Sequence, residues 1–223
     1  ILLKLSIRAI AFEKKVIALG LSASEKLSNQ EYIKKLEHVI NNSEYFSLRD
    51  KNSYELILRT CKDVDPNKLN LIQDLALANE AFKTDRVKKI QETKDIIKIG
   101  IIWICLGEID VTKFANNINE LIEILKEQNF VIALRYHGIL ASYALNIPCI
   151  SICYDVHRHY KNKISYLNDI FDKEDALSYS DLSYEELYKR IDAILNRNIE
   201  EDNVKILDEA QEDLDNAIKK LKL

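Results

Sequence analysis

The chain has 223 residues, of which 47% are hydrophobic and 30% charged; this is the composition of a globular protein with one large domain or two small ones. A formal charge of −4 with mixed signs excludes a general pull toward nucleic acid or an anionic membrane, so an anionic substrate needs local basic groups. No apolar run spans a bilayer, since IIKIGIIWICLG is short and interrupted by lysine, and the first residues show no signal-peptide pattern.

Apolar runs of five to seven residues alternate with segments of helical period, the pattern of a parallel sheet with crossover helices. VIALGL, from Val16, reads as a buried strand. SNQEYIKKLEHVI follows as a helix with Tyr32, Ile33, Leu36, Val39 and Ile40 on one face, and with Ser28 and Glu31 spaced as a capping box. EYFSLRD is the next strand, ending on Arg49 and Asp50; KNSYELILRTC is a short helix, and LNLIQDLALA a strand ending near Asp74. FKTDRVKKIQETKD has no apolar face and reads as an interdomain linker.

A second α/β series opens with IIKIGIIWI. FANNINELIEILKEQ is an amphipathic helix, VIALRYHG a strand running into a turn, GILASYALN a short buried helix and IPCISICYD another strand. From Ser180 onward, DLSYEELYKRIDAILNR and VKILDEAQEDLDNAIKKLKL are two amphipathic helices with solvated charges. The expected organisation is a first domain over 1–84, a linker over 85–97, a second domain over 98–179, and C-terminal helices over 180–223 that pack across the domains.

Composition adds two points. Four glycines and no methionine are few for an α/β chain, against an average glycine usage of about 7%. The reading is that glycine-rich segments are missing near Glu13 and Phe130. The four cysteines, Cys61, Cys105, Cys149 and Cys153, sit in or beside apolar runs without zinc-type spacing, as buried free thiols of a cytosolic protein do.

Ligands of open α/β sheets bind at the carboxyl ends of the strands, which directs attention to Arg49, Asp74, Arg135, His137 and Asp155. Arg135 and His137 flank the end of a buried run, and Gly138 would let the chain turn tightly into a helix whose free N–H groups favour an anion. Arginine offers a fork for carboxylate or phosphate, and histidine a proton near neutral pH. The same spacing suits an arginine bridging two strands and a histidine satisfied by a carbonyl. Arg49 and Asp50 also read as a local ion pair, with Asp50 capping the helix that contains Ser53. His157 and His159 lack further metal ligands, and a basic loop with Arg158, Lys161 and Lys163 is the better reading. No P-loop, GxGxxG, GxSxG or HExxH pattern is present.

Taken in order, SLRDKNSYELILR, LNLIQDLAL and IALRYHGILASYALNIPCISICYD with Lys163 downstream resemble the polysaccharide pyruvyl transferases. The turn Arg135-Tyr136-His137-Gly138 is similar to that family's Arg-Leu-His-Gly, and the strand from Pro148 to Tyr154-Asp155 to its Pro to Tyr-Asp strand. The resemblance implies two Rossmann-like domains facing across a GT-B-like cleft, and transfer of pyruvate from phosphoenolpyruvate to a sugar of a cell-surface polysaccharide or its precursor as a cyclic ketal. It implies Arg135 and Arg49 on the donor's carboxylate and phosphate and His137 as general acid. It also implies that Asp50, Ser53, Asp74, Gly138, Tyr154, Asp155 and Lys163 line the substrates. It implies no cofactor beyond phosphoenolpyruvate as donor substrate and names no metal-ligating residue. The partner is a saccharide acceptor, lipid-linked acceptors included, without nucleic acid or an integral membrane segment; the setting is the cytoplasm or the inner membrane face. Two alternatives share the architecture: a GT-B glycosyltransferase using a nucleotide sugar, and a binding relative without turnover.

Overall fold

A computed structural model describes residues 2–23, 27–82, 99–102, 117–153, 158–173, 176–195 and 203–220. The chain forms two compact units, one of Ile1–Ala78 with Asp208–Leu223, the other of Asn79–Leu207. Both are α/β with parallel strands. The expected linker over 85–97, the continuation of IIKIGIIWI past Ile102, and Cys105 lie outside the described residues.

In the first unit, α1 (Leu2–Ala11), β1 (Ile17–Leu21), α2 (Gln30–Asn42), β2 (Tyr45–Leu48), α3 (Lys51–Thr60) and β3 (Leu69–Leu71) follow one another, and the strands lie in the order β1-β2-β3. All four residues of β2 are buried, because a central parallel strand is covered on both faces. Phe46 and Leu48 face a cluster with Ile33, Val39 and Ile40 of α2 and Ile57 of α3. A bulge between Ala18 and Leu21 breaks the β1 register. Gly20 takes a left-handed φ of 58° there, a backbone state that glycine adopts at no steric cost. Its N–H donates to the buried Ser47 hydroxyl at 3.0 Å.

Several local expectations are corrected. Asn29, not Ser28, caps α2: its side chain accepts from the Tyr32 N–H at 3.0 Å. Tyr32 is exposed rather than part of the apolar face. β3 is only three residues long, since Asp74 accepts from the Ala76 N–H at 3.0 Å and starts a 3-10 turn, Leu75–Ala78. A side chain that bonds its own following backbone competes with strand pairing. Asp50 does cap α3, accepting from the Ser53 N–H at 2.7 Å, but its ion pair with Arg49 does not form; Arg49 turns to Asp74 instead.

The second unit contains β4 (Ile99–Ile102), α4 (Ile118–Lys126), β5 (Phe130–Ala133), α5 (Tyr136–Ala144), β6 (Cys149–Cys153), α6 (Arg158–Ile170), β7 (Leu177–Ser178) and α7 (Tyr184–Leu195). Its strands are parallel in the order β4-β5-β6-β7. Phe130, Ile132, Ile150, Ile152 and Leu177 form the core beneath Leu187, Ile191 and Ile194 of α7. Asn117 caps α4. The strand expected to run through VIALRYHG stops at Ala133, and His137 and Gly138 already belong to α5. The last helix, α8 (Val204–Lys220), lies mostly in the first unit, where Asp213 accepts from the Gln73 N–H at 2.8 Å and the Lys220 ammonium sits 4.9 Å from the Tyr45 ring centroid.

The scarcity of glycine has a structural counterpart. Helices α1, α5 and α6 each end on a non-glycine residue with left-handed φ, namely Glu13 (54°), Asn146 (55°) and Asp172 (49°). In each case the next N–H reaches back five residues: Lys14 to Ala9, Ile147 to Ser142 and Lys173 to Asn168. This is the Schellman stop that glycine usually provides. At Glu13 the chain therefore passes through a hydrogen-bonded turn, and before Phe130 it turns at Gln128, whose N–H donates to Leu125 at 2.9 Å. Cys61 and Cys153 are buried and Cys149 half-buried, all three as free thiols. Among the described residues no helix is long and apolar enough to cross a membrane.

Candidate functional site

The carboxyl ends of β1, β2 and β3 carry one connected polar cluster. Each strand delivers a polar residue where its ladder ends: Ser22 after β1, Arg49 and Asp50 after β2, and Asp74 shortly after β3. The Ser22 hydroxyl donates to Asp50 Oδ2 at 2.5 Å and accepts from Arg49 Nε at 3.3 Å. Arg49 Nη1 donates to Asp74 Oδ2 at 2.9 Å. Asp50 is buried and also receives the Ser53 hydroxyl at 2.8 Å; Ser53 in turn accepts from the Ala23 N–H at 2.8 Å. A buried carboxylate is tolerated here because neutral donors and the start of α3 surround it. Ser22 was missed in the sequence, although it is the first polar residue past VIALGL and the rule that singled out Arg49 applies equally to it.

The carboxyl end of β5 is built differently. Arg135 occupies the N-cap of α5 with extended backbone and makes no capping bond. Its side chain is exposed, and no ion pair or hydrogen bond engages it among the described residues. His137, the second residue of α5, is exposed, with its ring edge-on to Tyr136 at 5.4 Å. The N–H groups of a helix's first turn have no intrahelical acceptor and carry the positive end of the helix dipole. An unpaired guanidinium thus stands beside an anion-favouring helix start.

Gly138 serves another purpose than the tight turn expected of it. It is buried inside α5 without positive φ, and a Cβ there would lie 2.7 Å from Ile102 Cδ1 and 3.0 Å from its Cγ2. The glycine is what lets α5 approach β4. Below it, α5 is held by buried polar contacts: the Tyr143 hydroxyl donates to Asn168 Oδ1 at 2.9 Å, and Asn168 Nδ2 to the Ser151 hydroxyl at 3.4 Å. Asn203 donates to the Tyr143 carbonyl and to Asn146 Oδ1.

Of the residues singled out in the sequence, Arg49, Asp50, Ser53 and Asp74 meet in the first unit, and Arg135, His137 and Gly138 are adjacent in the second. Lys163 lies in the second turn of α6, half-buried. Tyr154, Asp155 and His157 lie outside the described residues. Among the described residues no group of three His, Cys, Asp or Glu side chains is placed to hold a metal ion.

Compared with known proteins, residues 1–156 match the family model described as polysaccharide pyruvyl transferase. No curated protein matches the chain.

Proposed function

Since the chain belongs to the polysaccharide pyruvyl transferase family, we propose that it transfers pyruvate from phosphoenolpyruvate to a sugar of a cell-surface polysaccharide or its precursor, closing a cyclic ketal. The observation that supports a donor anion here is the exposed Arg135 guanidinium beside the open start of α5. A carboxylate or phosphate gains a charge-assisted fork from the arginine and N–H groups from the helix.

In this reading His137, two residues on, gives its proton to the donor's methylene carbon. The resulting oxocarbenium-like centre at C2 takes a sugar hydroxyl, whose proton restores His137; phosphate leaves with the electron pair of the C2–O bond, and a second hydroxyl closes the ketal, giving its proton to phosphate or solvent. The scheme consumes no cofactor. From the resemblance the proposal also takes the GT-B-like pairing of two Rossmann-like domains over a cleft, substrate contacts at Tyr154, Asp155 and Lys163, and a cytoplasmic setting, at the inner membrane face for a lipid-linked acceptor.

The test is product analysis. Incubation with phosphoenolpyruvate and a saccharide acceptor should release inorganic phosphate and add a pyruvate ketal to the sugar. Release of a nucleoside diphosphate from a nucleotide sugar, with no phosphate from phosphoenolpyruvate, would replace the reading with glycosyl transfer.

A further inference from the structure

The two arginines that the family resemblance assigns to one donor differ in electrostatic surroundings. Arg135 is exposed and unpaired among the described residues. Arg49 is bonded to Asp74 at 2.9 Å, with 22% of its side chain accessible and 8% of its partner's. Through Ser22 it is also linked to Asp50. Among the described residues the cluster holds one cation against two carboxylates, offset in part by the start of α3.

An anion approaching Arg49 therefore meets Asp74 at almost the same distance. Two unit charges of opposite sign at similar distances act on it with nearly equal and opposite strength, so attraction to the arginine and repulsion from the carboxylate nearly cancel. A neutral hydroxyl pays no such penalty. It accepts from a guanidinium N–H and donates to a carboxylate or a serine oxygen, and this cluster offers all three at the carboxyl edge of a parallel sheet, where such sheets take ligands.

Resting on the pyruvyl-transfer reading, we infer that the Ser22–Arg49–Asp74 cluster at the ends of β1, β2 and β3 binds hydroxyls of the saccharide acceptor, not the donor anion. In this inference Arg49 is the group that donates to the sugar hydroxyl. Ser22 and Asp74 fix its plane from either side, so little freedom is lost when a sugar binds.

The experiment measures two ligands separately on the intact chain. Phosphoenolpyruvate binding is read by calorimetry, and methyl glycosides of galactose, glucose, mannose and N-acetylglucosamine by saturation-transfer NMR. Wild type should bind at least one glycoside. Arg49→Gln and Asp74→Asn should weaken it about tenfold, the scale of one charge-assisted hydrogen bond, with phosphoenolpyruvate affinity within about twofold of wild type. Arg135→Ala should do the reverse. Should Arg49→Gln fail to fold, Ser22→Ala replaces it and should weaken the glycoside about threefold, one neutral hydrogen bond's worth. Loss of phosphoenolpyruvate affinity in the Arg49 variant to match Arg135→Ala overturns the inference. So does a wild type that binds none of the glycosides, or glycoside binding indifferent to the Arg49, Asp74 and Ser22 changes. The two claims separate: donor binding and phosphate release without Arg49-dependent glycoside binding defeat this inference alone. Absence of both donor binding and phosphate release defeats the pyruvyl-transfer reading.

Discussion

The Tyr143 hydroxyl donates a hydrogen bond to Asn168 Oδ1 at 2.9 Å, and both side chains are almost wholly buried. This bond ties α5, whose first turn carries Arg135 and His137, to α6 and through Ser151 to β6. Removing one partner of a buried pair costs about 1–3 kcal/mol. Tyr143→Phe should therefore lower unfolding stability by that amount in a denaturant titration, with the midpoint moving and the slope unchanged. Burial also pushes the phenol well above its usual range, so its absorbance should not show ionisation before the protein unfolds in alkali.

Gly138→Ala places a methyl group 2.7 Å from Ile102 Cδ1. Overpacking of this kind costs about 1–3 kcal/mol, and here it would also push the start of α5 off β4. Ile102→Val removes the nearest atom, so the double variant should recover part of the loss. The coupling is measurable by a double-mutant cycle on thermal or denaturant unfolding. Additive losses would show that the two side chains do not meet.

The left-handed helix stops at Glu13 and Asp172 carry strain that glycine relieves. A non-glycine residue there costs about 1–2 kcal/mol, offset in part by glycine's greater entropy loss. Glu13→Gly and Asp172→Gly should each raise stability by about 0.5–1 kcal/mol. Asn146→Gly should not, because the Asn146 side chain accepts from Asn203.

Burial pushes the Cys61 thiol up to about 11 and that of Cys149 to about 12. In the unfolded chain a thiol ionises near 8.5. The folded state then holds protons that the unfolded state has released, so this stability is complete below about pH 8.5 and is lost as pH rises toward 11 and 12. Stability should be level near neutrality as far as these thiols are concerned and fall above about pH 9. Cys61→Ala, though less stable at pH 7, should show a shallower alkaline decline.

The sequence made the strands legible where burial is two-sided. β2, β5 and β6 lie in the runs expected of them, because apolar residues at both parities leave little alternative; β1 also lies in VIALGL but is an edge strand, with Ile17 and Leu21 exposed, and not the buried strand expected. It misled where a polar side chain decides the local backbone. Asp74 ends β3 by capping a turn inside an apolar run, and α5 begins at Tyr136 with no capping residue type to announce it. Gly138 reads as a turn residue in sequence, while its purpose comes from Ile102, 36 positions earlier. The Arg49 to Asp74 pair was equally hidden, since adjacent Asp50 is the obvious partner until parallel pairing of β2 with β3 brings Asp74 alongside.

In the proposed reaction Arg135 holds the donor and His137 supplies the proton. Steady-state phosphate release from phosphoenolpyruvate, with a saccharide acceptor at saturation, separates the two roles. Arg135→Ala should raise the donor KM about tenfold or more with a smaller change in kcat, whereas His137→Ala should lower kcat about 100-fold or more with donor KM little changed. Transferase activity that survives both substitutions near the wild-type level would contradict the assignment.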